Sequence, residues 1–455
     1  MTATSTSESS AESTSEATER IHAQERSQPV ARARHSALSV LLIRSYQRLL
    51  HGLALVLPFR RSQLLIAAGS SRDLARLLQT KSWCRPLLVT DQRLMQLQLP
   101  HPLIADLNRI GLHGSVFDQV PENPTLSSVE ASLRFYRAAG CDSLIAFGGG
   151  SVIDCAKGIG ARVGNPWLPL RWMEGLFRVL LPPPPLACVP TTAGSGSEAS
   201  IAAVFTDPER RRKIAIGDLK LLPQVTVIDP ELMRGLPPTV TAAGGLDALT
   251  HAVESFIGRN GSAFSERKAL SALTRIARWL PLAYQQGDDL EARLQMALAA
   301  HEAGEAFTRT NVGYAHAIAH ALGCAYGIPH GLANAIALPK VLDWSLPACE
   351  SQLALLARSI DLGAAGDGEA SLAVQFIHWI EALNQELGVP TGVVQLHRDD
   401  IPRISCSVLK EAHPAYPVPR LMTQADCEAL LRRFLIGTDC SDPDRSDWAL
   451  NRRDA

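Results

Sequence analysis

SLIAFGGGSVIDCAKGIGARV, residues 143–163, holds the reading on which the fold turns. Its first part, 143–151, is a short apolar run ending in Gly148, Gly149, Gly150 and Ser151, the pattern of a strand entering a glycine turn. Residues 152–163 continue with helical periodicity. Glycines at such a turn let the backbone approach a bulky anion, and the helix start offers unpaired N–H groups with a partial positive charge. A pyrophosphate suits that place, although many strand-to-helix turns carry glycine for steric reasons alone.

Working upstream, the same alternation repeats. LLIAAG reads as a strand and SRDLARLLQT as a helix; PLLVTD (86–91) and SVFDQV (115–120) are further strands, the second followed by a helix from about Leu126. Alternating strands and helices predict a largely parallel sheet covered on both faces. Downstream, Pro182–Pro185 form a stiff loop before LACVP, and residues 214–230 hold two more strand-like pieces. Beyond Pro237 helical periodicity takes over, at 241–258, 264–285, 289–307, 312–324, 331–344 and 369–387. The chain therefore divides near Leu236–Pro238 into an α/β part, 62–236, and an all-α part, 237–438.

The ends read differently. Residues 1–30 are too polar to offset ordering entropy and are expected to be a disordered tail; 439–455 are expected to be a flexible tail. Residues 31–61 read as an N-terminal helical extension. Its apolar run 38–57 is interrupted by Arg44, Gln47, Arg48 and His51, which disfavours a membrane span. A helix packed on the body is expected there, with peripheral membrane contact as the alternative.

With 46% hydrophobic and 20% charged residues and a net charge of -1, the composition fits a globular protein and argues against nucleic-acid binding. Nine scattered cysteines without a C-x-x-C pair read as reduced thiols, and the opening lacks a signal-peptide pattern, so a cytoplasmic protein without a transmembrane segment is expected.

The richest chemistry lies in the helical part. GGLDALTHAVESF places Asp247 and His251 four residues apart, and GYAHAIAHALG does the same for His316 and His320. That spacing puts each pair on one helix face. His330 follows in Gly327–Gly331. A lone carboxylate in so apolar a segment is costly to bury, and a divalent cation shared with imidazoles removes the cost. A nitrogen and oxygen set without thiolate suits Fe(II) or Zn(II). His301-Glu302 lacks the second histidine of H-E-x-x-H, which disfavours a zinc protease. Asp91, at the end of LLVTD, can accept from a ribose 2′-hydroxyl and repel a 2′-phosphate, predicting NAD over NADP; it serves equally well as a helix N-cap. Gly194–Ala199 fits G-x-G-x-x-A but is not the first strand-to-helix turn, and reads as a polar loop near the cofactor.

In order along the chain, VFDQVPENPT, FGGGSVIDCAK, PTTAGSGSEAS, IDPELMRGLPP, GGLDALTHAVE, GYAHAIAHALG and PHGLANAIALP resemble the iron-containing (group III) alcohol dehydrogenases, from about residue 62 to about 435. The resemblance implies a dehydroquinate synthase-like fold, an α/β dinucleotide-binding domain facing an all-α metal-binding domain. It implies Asp247, His251, His316 and His330 as metal ligands, with His320 beside the nicotinamide and suited to relaying a proton. It implies cofactor contacts from Gly149, Gly150, Ser151 and Asp154, from Thr191, Thr192 and Ser195, from Asn123, and from Lys213. The function implied is hydride transfer between a small alcohol and NAD(H), giving an aldehyde or ketone, with the metal as Lewis acid. A zinc-dependent polyol dehydrogenase and a dehydroquinate synthase-like lyase remain alternatives; the lyase would need a basic pocket, for which only Arg309 and Lys213 are candidates. Ser195 stands where the family often has Thr, and Arg309 where it often has a small polar residue. Phe307 and Tyr314 are candidates for a substrate wall or for plain core packing. A homodimer is expected by analogy.

Overall fold

The computed structural model describes residues 36–56, 58–210 and 212–436; the expected tails 1–30 and 439–455 lie outside the described residues. After helix α1 (Ala37–Val56), the α/β part contains β1 (Gln63–Ile66), α2 (Leu74–Thr80), β2 (Pro86–Val89), α3 (Gln92–Gln96), α4 (His101–Arg109), β3 (Ser115–Phe117), α5 (Leu126–Ala138), β4 (Ser143–Gly148) and α6 (Gly150–Gly164). It continues with β5 (Gly175–Leu176), β6 (Leu186–Pro190), β7 (Ala202–Asp207), β8 (Arg212–Gly217) and β9 (Val225–Ile228).

Six strands form one sheet in the order β1-β9-β6-β4-β2-β3, every pair parallel. Both faces are covered. Leu144 and Ala146 of β4 pack into one cluster with Ile153 and Ile159 of α6; Ile145 and Phe147 pack into the opposite one with Leu74 and Leu78 of α2. Side chains that alternate along a strand must go to opposite layers, so an unbroken apolar strand needs both. Chain order reverses between β2 and β4, the switch point at which open α/β sheets bind ligands, and the Gly148–Gly150 turn stands on it.

A second, three-stranded sheet, β5-β8-β7, contains an antiparallel pair that runs from Ala202↔Gly217 to Asp207↔Arg212. The sequence reading had no strand at β5 or β7. Ala203 and Phe205 of β7 alternate inward only because β8 supplies the partner, and a six-residue run with small and polar members shows no such preference alone.

Nine described helices follow: α7 (Pro238–Ile257), α8 (Ala263–Gln285), α9 (Leu290–Thr310), α10 (Tyr314–Tyr326), α11 (His330–Ser345), α12 (Glu350–Ser359), α13 (Glu369–Glu386), α14 (Ile401–Ala412) and α15 (Gln424–Arg432). Their starts follow local chemistry. Pro238 opens α7, where its missing N–H costs nothing; Ser262 with Ser265 and Thr423 with Asp426 form capping boxes at α8 and α15. The shorter α12, α14 and α15 were not anticipated.

Two contacts position the site. The loop after β6 meets α9 main chain to main chain. Gly196 has φ +57°, and a Cβ there would lie 2.6 Å from the Ala300 carbonyl oxygen; a Cβ on Gly304 would lie 2.6 Å from the Gly196 oxygen. The second contact pins α1 to the body. Arg44 donates to the carbonyls of Val418 and Pro419, and Gln47 Nε2 to those of Pro414 and Tyr416.

Candidate active site

Helix α7 carries Asp247 and His251 on one face, α10 carries His316 and His320, and α11 begins at His330. Asp247, His251 and His316 each offer a ligand atom, and these atoms all lie within 4.8 Å of one another; all three residues are buried. His330 adjoins this trio without joining its tightest grouping. Its Nε2 is 3.5 Å from Asp247 Oδ1, and its ring centroid is 5.4 Å from that of His316 and 5.0 Å from that of His320.

The hydrogen bonding leaves several ring nitrogens of the cluster unpartnered among the described residues. His316 Nδ1 lies 2.6 Å from Glu254 Oε2, so Nδ1–H donates to the carboxylate, and Nε2 stands 3.9 Å from Asp247 Oδ1. His316 Nε2 and His330 Nδ1 are buried without a hydrogen-bond partner among the described residues. Asn334 Nδ2 donates to Asp247 Oδ1 at 2.7 Å. Burial pushes the Asp247 carboxyl up, only partly offset by His316 and Asn334. Burial, reinforced by the neighbouring histidines, holds His251 and His330 well below the usual imidazole range. The His251 and His330 imidazoles held neutral, a buried Asp247 carboxyl only partly compensated, and the unpartnered Nε2 of His316 make a donor set that fits a divalent cation.

Opposite lies the glycine turn. Gly149 caps α6, and a Cβ on Gly150 would fall 2.7 Å from Ser195 Oγ. Asn123, Gly150, Ser151, Thr192, Ser195 and Lys213 line one cleft together with Asp247, His251, His316, His320 and His330. Its volume, ≈ 2480 Å³, exceeds the roughly 300–1,000 Å³ of ordinary small-molecule sites and has room for a dinucleotide beside a substrate.

Other expected residues are used differently. Asp91 is not in the cleft wall; its Oδ1 accepts from Leu94 N–H and caps α3. Thr191 is buried, its N–H on the Gly148 carbonyl, and is absent from the wall. Asp154 borders the cleft, but its oxygens accept from Ser197 Oγ and Val204 N–H, bracing α6 against β7. Phe307 stacks on the His251 ring at 4.3 Å and stands in the cleft, whereas Tyr314 is core, its hydroxyl bonded to His413 and to Met422 N–H. Arg309 is sandwiched between Phe59 and Phe264, 4.5 Å and 3.9 Å from the ring centroids.

Three polar residues were missed. Glu254 accepts from Gly313 N–H and Ala315 N–H besides His316, so one carboxylate anchors the start of α10 and orients a candidate ligand. Asn334 holds Asp247. Glu411 lies 2.6 Å from His320 Nδ1 and accepts from Tyr416. The signal for Glu254 and Asn334 was available: each is a polar residue in an apolar helix, three or four places from a ligand-type histidine.

Away from the cleft, buried His301 faces Glu198 at 3.3 Å. Burial alone would lower its pKa; the bond and charge of Glu198 outweigh burial and raise it. A raised folded value means that this stabilisation is complete below about pH 6.5 and fades as pH rises through the folded value. In thermal melts from about pH 6 to about pH 9, His301→Gln should therefore be most destabilising at the acid end and converge on the parent at the alkaline end. A gap that widens with pH would contradict the assignment.

Two family models match in tandem, iron-containing alcohol dehydrogenase over residues 62–230 and the C-terminal region of that family over 241–435. Among curated proteins, the chain is 35% identical to 1,3-propanediol dehydrogenase of Klebsiella pneumoniae over 77% of this chain and 91% of that protein. It is 34% identical to lactaldehyde reductase of Escherichia coli K12 over 73% and 88%, and 30% identical to NAD-dependent methanol dehydrogenase of Bacillus methanolicus over 81% and 97%. The crystal structure of a 1,3-propanediol oxidoreductase superposes with a TM-score of 0.80 at 32% identity, covering 83% of this chain and all of that one. These relatives favour the iron-type reading over the zinc polyol alternative, and the chain belongs to the iron-containing alcohol dehydrogenase family of oxidoreductases.

Proposed function

We propose that this protein oxidises a short alcohol with NAD, or in reverse reduces an aldehyde or ketone, around one divalent cation held by Asp247, His251, His316 and His330. The observation that carries the reading is the unpartnered His316 Nε2 aimed at a buried carboxylate. A bound cation supplies Lewis-acid stabilisation of negative charge, and the nicotinamide supplies the hydride carrier. The chain's own residues do the rest. Glu254 keeps His316 in the Nδ1–H tautomer, and Asn334 fixes the Asp247 carboxylate. The backbone N–H groups at the start of α6, with Thr192 and Ser195, receive the pyrophosphate, and Asn123 and Lys213 border the nucleotide. Phe307, stacked on His251, excludes water from that side. Glu411 occupies His320 Nδ1, so Nε2 is the atom that exchanges a proton with the cleft.

The names of the relatives (propanediol, lactaldehyde, methanol) support a small substrate. Iron is the favoured metal, though the donor set also accepts zinc. NAD is the proposed cofactor, by similarity to the NAD-dependent methanol dehydrogenase; Asp91, outside the cleft wall and capping α3, does not carry that preference. A homodimer in the cytoplasm completes the reading.

The test is a panel of short alcohols and aldehydes with anaerobically purified protein whose metal has been quantified. NADH formation should fall about a hundredfold or more on chelation and return with Fe(II) or Zn(II). Catalytic efficiency should be about tenfold higher with NAD than with NADP. Turnover untouched by complete metal removal would end the proposal.

A further inference from the structure

Helix α1 is inside out. Two of its polar residues face the protein, Gln47 buried and Arg44 bonded to carbonyls, while Leu38, Leu41, Leu42 and Leu49 are 65%, 59%, 63% and 60% exposed. A surface helix that packs by its apolar face does the reverse. So many exposed leucines on one element mark a surface made to be covered.

The charge around it narrows what covers it. Residues 36–61 contain Arg44, Arg48, Arg60 and Arg61 and no Asp or Glu, in a chain whose net charge is -1. Arg48, Arg60 and Arg61 are exposed, and none of the ion pairs among the described residues includes them. No helix among the described residues is long and apolar enough to cross a membrane. A second copy meeting this face through a two-fold axis would set the same cationic segment against itself, with no acid in it to answer the arginines. A surface that accepts leucines and is negatively charged answers both features. The segment also lies outside both matched regions of the family, 62–230 and 241–435, so it is particular to this chain's extension.

We propose that α1 docks the protein on an anionic lipid surface, with its leucines in the headgroup layer and Arg48, Arg60 and Arg61 against the lipid phosphates. Leu50 and Phe59 of the same segment line the cleft, so a docked molecule opens its cleft beside the bilayer. As a corollary resting on the proposed function, alkyl alcohols that partition into membranes would be favoured substrates; the docking itself does not depend on that reading.

The experiment is vesicle co-sedimentation of the full chain. Vesicles with about one-third phosphatidylglycerol should bind at least about tenfold more protein than phosphatidylcholine vesicles. Leu38→Ser/Leu42→Ser/Leu49→Ser should abolish binding to both. Arg48→Glu/Arg60→Glu/Arg61→Glu should remove the preference for anionic lipid. Far-ultraviolet dichroism and NADH formation from a water-soluble alcohol, measured in parallel, should be unchanged in both variants. Loss of that activity in the parent protein would sink the proposed function without touching the docking. No vesicle binding by the parent would overturn the docking; a fall in particle mass by light scattering in the serine variant would then make the face a protein–protein interface.

Discussion

His316→Ala is expected to lower kcat by about a thousandfold and to empty the metal site, measured as turnover and as metal per chain after purification. His316 is the only member of the trio whose second nitrogen is committed to a carboxylate, and it bridges α10 to Asp247 on α7. Removing it withdraws one proposed ligand and leaves the Glu254 carboxylate with one donor fewer. His320→Ala is the contrast. That ring sits against His330, and its Nδ1 is tied to Glu411, so turnover should fall while metal content holds. If both variants lose metal equally, His320 is a ligand and the division of roles is wrong.

Glu254→Gln carries the second large effect. Three donors converge on this carboxylate: Gly313 N–H and His316 Nδ1 on Oε2, and Ala315 N–H on Oε1. A glutamine can place its oxygen against two of them, but its NH2 then faces the third. One buried donor goes unsatisfied, which costs about 1–3 kcal/mol of stability. The imidazole also loses the anion that fixes its tautomer, and metal affinity should weaken by about 10–100-fold. Competitive chelator titration and thermal melts read the two effects separately. Parent-like metal affinity in a destabilised Glu254→Gln would show that the residue only anchors α10.

What could be read from the string, and what could not, follows from how local each cause is. The strand 143–148, its glycine turn and the helix beyond are specified by an apolar run and by backbone permissiveness, both properties of neighbouring residues. Asp247 with His251, and His316 with His320, declare themselves because helical spacing alone puts them on one face. Strand β7 does not, since its alternation acquires meaning only from β8. Asp91 could cap a helix or hold a ribose on equal terms, and the choice depends on where α3 begins. Asp154 matched a cofactor motif, yet its oxygens are taken by Ser197 and Val204, which come from a loop and a strand more than forty residues away. Tyr314 sits next to the histidines in sequence but points to the other side of α10, toward Trp344 and His413.

The contact between Gly196 and Gly304 bears on how finely this enzyme can be tuned. Neither position has space for even a methyl group, so the spacing of the two halves is a hard stop made of peptide units, insensitive to rotamer choice. A single added carbon there would act as a wedge, parting the glycine-turn wall of the cleft from the imidazoles. Transfer between two bound partners depends steeply on ångström-scale separation. Engineering of substrate range therefore belongs at the rim of the cleft, and this glycine seam is best left bare.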